Sequence, residues 1–182
     1  MNRIKRREFV AIAAGAVIGG AASPRIASAD SPMTASSEER LAMDIQRIGI
    51  TEPTGGIRGI PGAASGVTDP TGGLPVISLA SVHGGLVYVC GVTADPNKLG
   101  DVKDQTRQVL ALIDRLLARA GTNKSKLIST QVWLTDMGLF AAHNEAWNSW
   151  VDTNNPPVRA CLHSPALWHP GLLVEIMATA AL

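Results

Sequence analysis

The chain has 182 residues, a net charge of +1 and only two cysteines, Cys90 and Cys161. Two cysteines exclude a cysteine-rich disulfide scaffold and any four-cysteine metal site, though a single disulfide stays open in an oxidising compartment. Arg3, Lys5, Arg6 and Arg7 precede an apolar Ala/Gly-rich run from Phe9 to Ala22 and the small-residue site Ala27-Ser28-Ala29, the order of a signal peptide. Arg6-Arg7-Glu8-Phe9-Val10 resembles the twin-arginine motif of folded-protein export. The expectation is a twin-arginine-type signal over residues 1–29 and a periplasmic or secreted product with no membrane association after cleavage. Removing those 29 residues, which carry five basic groups and one acidic group, leaves 153 residues of net charge −3. That length suits one domain, and that charge argues against nucleic acid as a partner.

Residues 30–74 read as a linker. Within it, Leu41, Ile45 and Ile48 have helical spacing, which predicts a short amphipathic helix over Ser37 to Ile48. The Gly/Pro-rich stretch from Thr51 to Pro75 predicts an irregular segment. From Pro75 the pattern sharpens into a domain spanning 75–182. Val76 to Val82 and Leu86 to Val92 flank His83-Gly84-Gly85 as a hairpin. Asp101 is placed to cap a helix running to Ala120, with Gly121 as terminator. Leu127 to Leu134 predicts a strand, with Ile128, Val132 and Leu134 on one side and Ser129, Gln131 and Trp133 on the other. Thr135 or Asp136 can cap a second helix in which Phe140, Asn144, Trp147 and Val151 share a face. Asn155-Pro156-Pro157 returns the chain to extended form.

The last two strands carry the chemistry. Alternation in Val158 to His163 separates Val158, Ala160 and Leu162, expected in the core, from Arg159, Cys161 and His163. In Leu172 to Thr179 it separates the core set Leu172, Val174, Ile176 and Ala178 from Leu173, Glu175, Met177 and Thr179. This element order predicts an α+β two-layer sandwich, a mixed β-sheet with two helices on one face. Trp133, Tyr88, Leu173 and Met177 would lie on the other face, and such an exposed apolar face predicts a homo-oligomer.

Several ordered motifs then resemble one family. They are Asp104-Gln105-Thr106-Arg107-Gln108-Val109-Leu110, Val132-Trp133-Leu134-Thr135-Asp136-Met137, Asn144, Pro157-Val158-Arg159-Ala160-Cys161 and Val174-Glu175-Ile176. Together they are similar to the reactive-intermediate imine/enamine deaminases, also called the YjgF or Rid family, over roughly Pro75 to Leu182. The resemblance implies a chorismate-mutase-like (bacillus-type) fold, assembled as a homotrimer with clefts between subunits and using no cofactor or metal. It implies hydrolytic deamination of small 2-imino or enamine acids to 2-keto acids and ammonia. Arg159 would bind the substrate carboxylate and Glu175 would position the water, with Cys161, Cys90 and Gly91 lining the substrate site. Val92 stands where the family has glutamine, and Ile77 where many deaminating members place a cleft-closing tyrosine, so substrate range is a property of this chain.

The residue types suit that chemistry. A guanidinium offers a carboxylate two parallel donors, which lysine does not. Other readings stand beside it: Arg159 as an ion-pair partner of Glu175 on a shared face, or a non-catalytic periplasmic module that binds small carboxylates or shields unfolded proteins. A ribonuclease, a label the family carries, is disfavoured by the acidic mature chain. Cys161 and His163 as nucleophile and base lack an orienting third group. His83, His143, His163 and His169 have no metal-ligand spacing and are expected at the surface or in loops. Trp133, Trp147, Trp150 and Trp168 are expected in core and interface packing, and Asn144 as a partner for backbone groups.

Overall fold

The computed structural model describes residues 44–51, 57–58 and 75–182. The signal-peptide reading, the start of the helix expected from Ser37 and most of the Gly/Pro-rich stretch lie outside them. Nine elements follow in chain order: β1 (Gln46–Thr51), β2 (Ile57–Arg58), β3 (Ser78–His83), β4 (Leu86–Thr93), α1 (Val102–Arg119), β5 (Leu127–Leu134), α2 (Phe140–Trp150), β6 (Val158–His163) and β7 (Val174–Ala181). The seven strands form one sheet in the order β2-β1-β3-β4-β7-β5-β6. Among the described strands only β5 and β6 run parallel. The α+β sandwich with a mixed sheet is therefore as expected.

Local chemistry explains the elements. Gly84 and Gly85 both have positive φ, 59° and 75°, which lets two residues reverse the chain between β3 and β4. The Asp101 carboxylate accepts from the Asp104 amide at 2.9 Å and so caps α1, while Gly121 ends that helix at φ 85°. One face of α1, from Val102 through Val109, Leu110, Ile113, Leu116 and Leu117, is buried against the apolar rows Val87, Val89 and Val92 of β4 and Val174, Ile176 and Ala178 of β7. Truncating one of those fully buried aliphatics to alanine should cost about 2–5 kcal/mol. Asp136 caps a 3-10 turn, accepting from Gly138, and the turn leads into α2. Trp150 ties α2 to α1 through a 2.8 Å bond from Nε1 to Asp114.

Three expectations are corrected. Gln46–Thr51 is a strand paired with β3 and not the end of a helix: Ile48 is buried and Ile45 exposed, because pairing with a sheet edge outweighs a weak helical spacing. Residues 57–58, expected irregular, pair with β1. In β5 a register shift between Leu127 and Ser129 turns Leu127 inward and leaves Ile128, placed with the core set, 46 % exposed.

The fourth correction decides the site. Val158, Ala160 and Leu162 are exposed, Val158 by 71 %, whereas Arg159 and Cys161 lie on the helix side. The parallel register pairs Arg159 with Thr130 and Cys161 with Val132, and both partners are buried. Neighbours across a sheet share a face, so Arg159 and Cys161 must point toward the helices. The outer face carries Val158, Leu162, Tyr88 and Met177, all exposed, as expected for the last two. Trp133 is half-buried, and Leu173 packs against the core instead.

Candidate active site

Two groups of side chains form, on opposite faces of the sheet. The first centres on Arg159, half-buried between the edge strand β6 and α2. Its Nη2 donates to Asn144 Oδ1 at 2.6 Å. Its Cζ lies 5.0 Å from the Trp147 ring centroid and 5.7 Å from that of Phe140. Helical spacing puts Phe140, Asn144 and Trp147 along one face, so α2 presents two rings and an acceptor to one guanidinium. Among the described residues the salt bridges are Lys103–Glu145 and Arg107–Asp104, and no carboxylate neutralises Arg159. Asn144, expected to serve backbone groups, instead orients this arginine.

Beneath it lies His143, fully buried and so corrected from the expected surface role. Thr106 Oγ1 donates to Val102 O at 2.6 Å and lies 3.0 Å from His143 Nδ1. With the hydroxyl proton committed to the carbonyl, Nδ1 must carry the imidazole hydrogen, leaving Nε2 as a bare acceptor. That atom and Thr130 Oγ1 are buried without hydrogen-bond partners among the described residues. Burial, and then the Arg159 charge, lower the His143 pKa to about 4. Cys161 has its thiol pKa raised by burial, opposed by Arg159. His163 Nε2 meets Thr135 O at 3.2 Å, so no cysteine–histidine nucleophile is assembled.

The second group centres on Glu175. Pairing places Thr93, Glu175, Trp133 and Leu162 in one row across β4, β7, β5 and β6, on the face away from the helices. Glu175 rests on Gly91, where an added Cβ would come within 2.0 Å of Oε1. Gly91 and Cys90 fall in a bulge of β4 between Val89 and Val92, which opens the strand beneath the carboxylate. Burial raises the Glu175 pKa. Burial, and then the Glu175 charge, push the Cys90 thiol up to about 11, so Cys90 contributes shape and not a thiolate.

Arg159 and Glu175, expected on one face, are thus separated by the sheet within one chain, and the ion-pair reading fails with them. Cys161 accompanies Arg159, while Cys90 and Gly91 accompany Glu175. Both cysteines are free, and three strand steps between β4 and β6 amount to about 14 Å, beyond the ~7 Å limit for a disulfide. Among the described residues no three His, Cys, Asp or Glu side chains converge as a metal site, and no helix is long and apolar enough to cross a membrane.

The family model described as endoribonuclease L-PSP matches residues 77–182. The chain belongs to that family, known also as YjgF or RutC. A RutC family protein of Haemophilus influenzae is 39 % identical over 104 residues, 57 % of this chain and 89 % of that protein. A crystal structure of a YjgF-family protein from Neisseria meningitidis is similar with a TM-score of 0.58 at 31 % identity, covering 77 % of this chain and 96 % of that one. A Mycobacterium tuberculosis member superposes with a TM-score of 0.53 at 31 % identity, over 58 % and 86 % of the two chains. The YjgF match takes in both groups, around Arg159 and around Glu175.

Proposed function

We propose that this protein hydrolyses small reactive 2-imino or enamine acids to 2-keto acids and ammonia, in clefts between the copies of a homotrimer. The observation that carries the reading is the Arg159 guanidinium. It is half-buried, oriented by Asn144, flanked by two rings and without a carboxylate partner among the described residues. A half-buried cation without a counter-ion favours a bidentate anion, and a 2-imino acid supplies its carboxylate.

Glu175 of a neighbouring copy would complete the site. The outer face that bears it is apolar around the carboxylate and invites covering, and Arg159 sits on the edge strand β6, within reach of a second copy. Water would add through oxygen to the C=N carbon as Glu175 takes one of its protons. Return of that proton to nitrogen gives a carbinolamine; its hydroxyl proton then passes to the amine as the C=O bond forms and the C–N bond breaks, and ammonia leaves. Burial raises the Glu175 carboxyl above its ordinary value, which makes its ionised form a stronger base toward water. An exported location follows from the Arg6-Arg7 signal and belongs to the same proposal.

The separation of Arg159 from Glu175 within one chain favours a second reading, a module that binds small carboxylates without turnover. One experiment divides the two. Freshly generated 2-imino acids are offered to the purified protein and to Arg159→Ala, and their decay is followed with ammonia release. Acceleration by the parent alone supports hydrolysis. Carboxylate binding without acceleration supports the module.

A further inference from the structure

We propose that Trp168 is a specificity-determining residue beside Glu175, an apolar wall that selects substrates with bulky apolar or aromatic side chains; this rests on the deaminase reading above. Trp168 lies in the loop between β6 and β7 and is 51 % exposed. Its ring is nevertheless fixed. Nε1 donates to Thr93 Oγ1 at 3.1 Å, and the His169 ring meets it edge-on at 5.5 Å.

Thr93 is the cross-strand partner of Glu175. Paired residues of antiparallel strands stand about 5 Å apart, so the indole is held within one small-molecule length of the carboxylate. The row continues through half-buried Trp133 and exposed Leu162. The carboxylate is thus flanked by the Trp168 and Trp133 rings and by Leu162, and the Thr93 hydroxyl already accepts from the Trp168 indole.

The loop that carries the ring is anchored. Buried Gln105 donates to Gly171 O at 2.9 Å and to Gly100 O at 3.1 Å, and accepts from Leu173 N at 2.8 Å. Gly171 adopts φ 86°, and a Cβ there would meet Leu99 at 2.7 Å, so the return to β7 is closely packed. At the other end Ser164 N donates to Leu134 O at 2.9 Å. A half-exposed tryptophan on an immobilised loop has lost its freedom in advance, which makes it an effective contact surface for a ligand.

The test uses the full chain, Trp168→Ala and Trp168→Phe. Imines generated in situ from phenylalanine, leucine and alanine are followed by competition with semicarbazide, and binding of phenylpyruvate and pyruvate is measured by calorimetry. The parent should prefer the phenylalanine-derived imine over the alanine-derived one by about tenfold or more in kcat/KM. Trp168→Ala should bring that ratio close to unity, chiefly through the aromatic imine. Trp168→Phe, which keeps a ring but loses the bond to Thr93, should retain most of the preference. Turnover without side-chain preference, equal losses on all imines, or a changed oligomeric state in Trp168→Ala would each overturn the inference and leave the deaminase reading standing. If no imine is consumed, that reading fails, and equal binding of the two keto acids then removes the selectivity as well.

Discussion

Arg159 and Glu175 lie on opposite faces of one sheet, with Arg159 in line with buried Thr130 and Glu175 in line with Trp133. A sheet is one backbone thick, yet neither side chain can reach through it, so a single copy cannot bring both to one substrate. Any reaction that needs both groups must be assembled from two copies. The apolar outer face gives those copies a reason to meet.

The first prediction follows directly. Arg159→Ala and Glu175→Gln should each lose about 10²-fold or more in kcat/KM, the scale of a removed carboxylate clamp or general base. Co-refolded at equal amounts as a trimer, the two variants should recover about a quarter of parent activity, since that share of interfaces joins an intact Arg159 to an intact Glu175. If the mixture stays as inactive as its components, the two residues do not share a site.

Gly91→Ala separates activity from folding. The added Cβ would fall 2.0 Å from Glu175 Oε1, but the obstacle is the end of a flexible side chain and can swing away. Stability should fall by less than about 1 kcal/mol, while the displaced carboxylate should lower turnover by about tenfold or more. Urea midpoints and initial rates on one preparation check both halves.

How much of this was legible in the sequence depended on which faces were apolar. Helix α1, the hairpin and the bounds of β5 followed from periodicity and caps because each has one wet side. Strand β6 was read with its faces exchanged. Val158 and Leu162 are apolar yet outward, and when both sides of a strand are built to be covered, alternation shows that two sets exist without showing which is inside. The bulge at Leu127 and the pairing of Gln46–Thr51 depend on partner strands far along the chain, which local spacing does not carry. Arg159 and Glu175 stood out as charges mid-strand. Asn144 and His143 did not, because their roles arise only once α2 lies over β6.

The pH dependence of turnover should show the burial of Glu175. Its carboxyl titrates above the ordinary value, and a base must be ionised to accept a proton. Activity should therefore fall on the acid side at a pH above that of a free glutamate. For stability the sign is opposite: a raised folded-state pKa adds stability at low pH that is lost as pH rises through it. Glu175→Gln should gain in melting temperature relative to the parent at neutral pH, and the gain should vanish toward pH 4.

Gln105 offers a test of the loop anchor. Its amide makes three bonds from a buried position, to Gly100, Gly171 and Leu173. Gln105→Ala leaves two carbonyls and an amide without partners and opens a cavity, a combined cost of about 2–4 kcal/mol. Unfolding in urea gives the number directly. A midpoint unchanged from the parent would mean that water takes over all three bonds.

His143 sets a distinct limit at acid pH. Burial and the neighbouring Arg159 charge hold its folded pKa near 4, against 6.5 in the unfolded chain. Between those values the unfolded state binds a proton that the folded state refuses, so stability falls as pH drops from about 6.5 toward 4, by up to roughly 3 kcal/mol. His143→Val removes the titration while leaving Thr106 its bond to Val102 O. Its stability should decline less steeply than the parent's across that window. Thr106, Trp147 and the Arg159 cation face the imidazole, and parallel pH curves for the two proteins would show that it is protonated in the folded state as readily as in water.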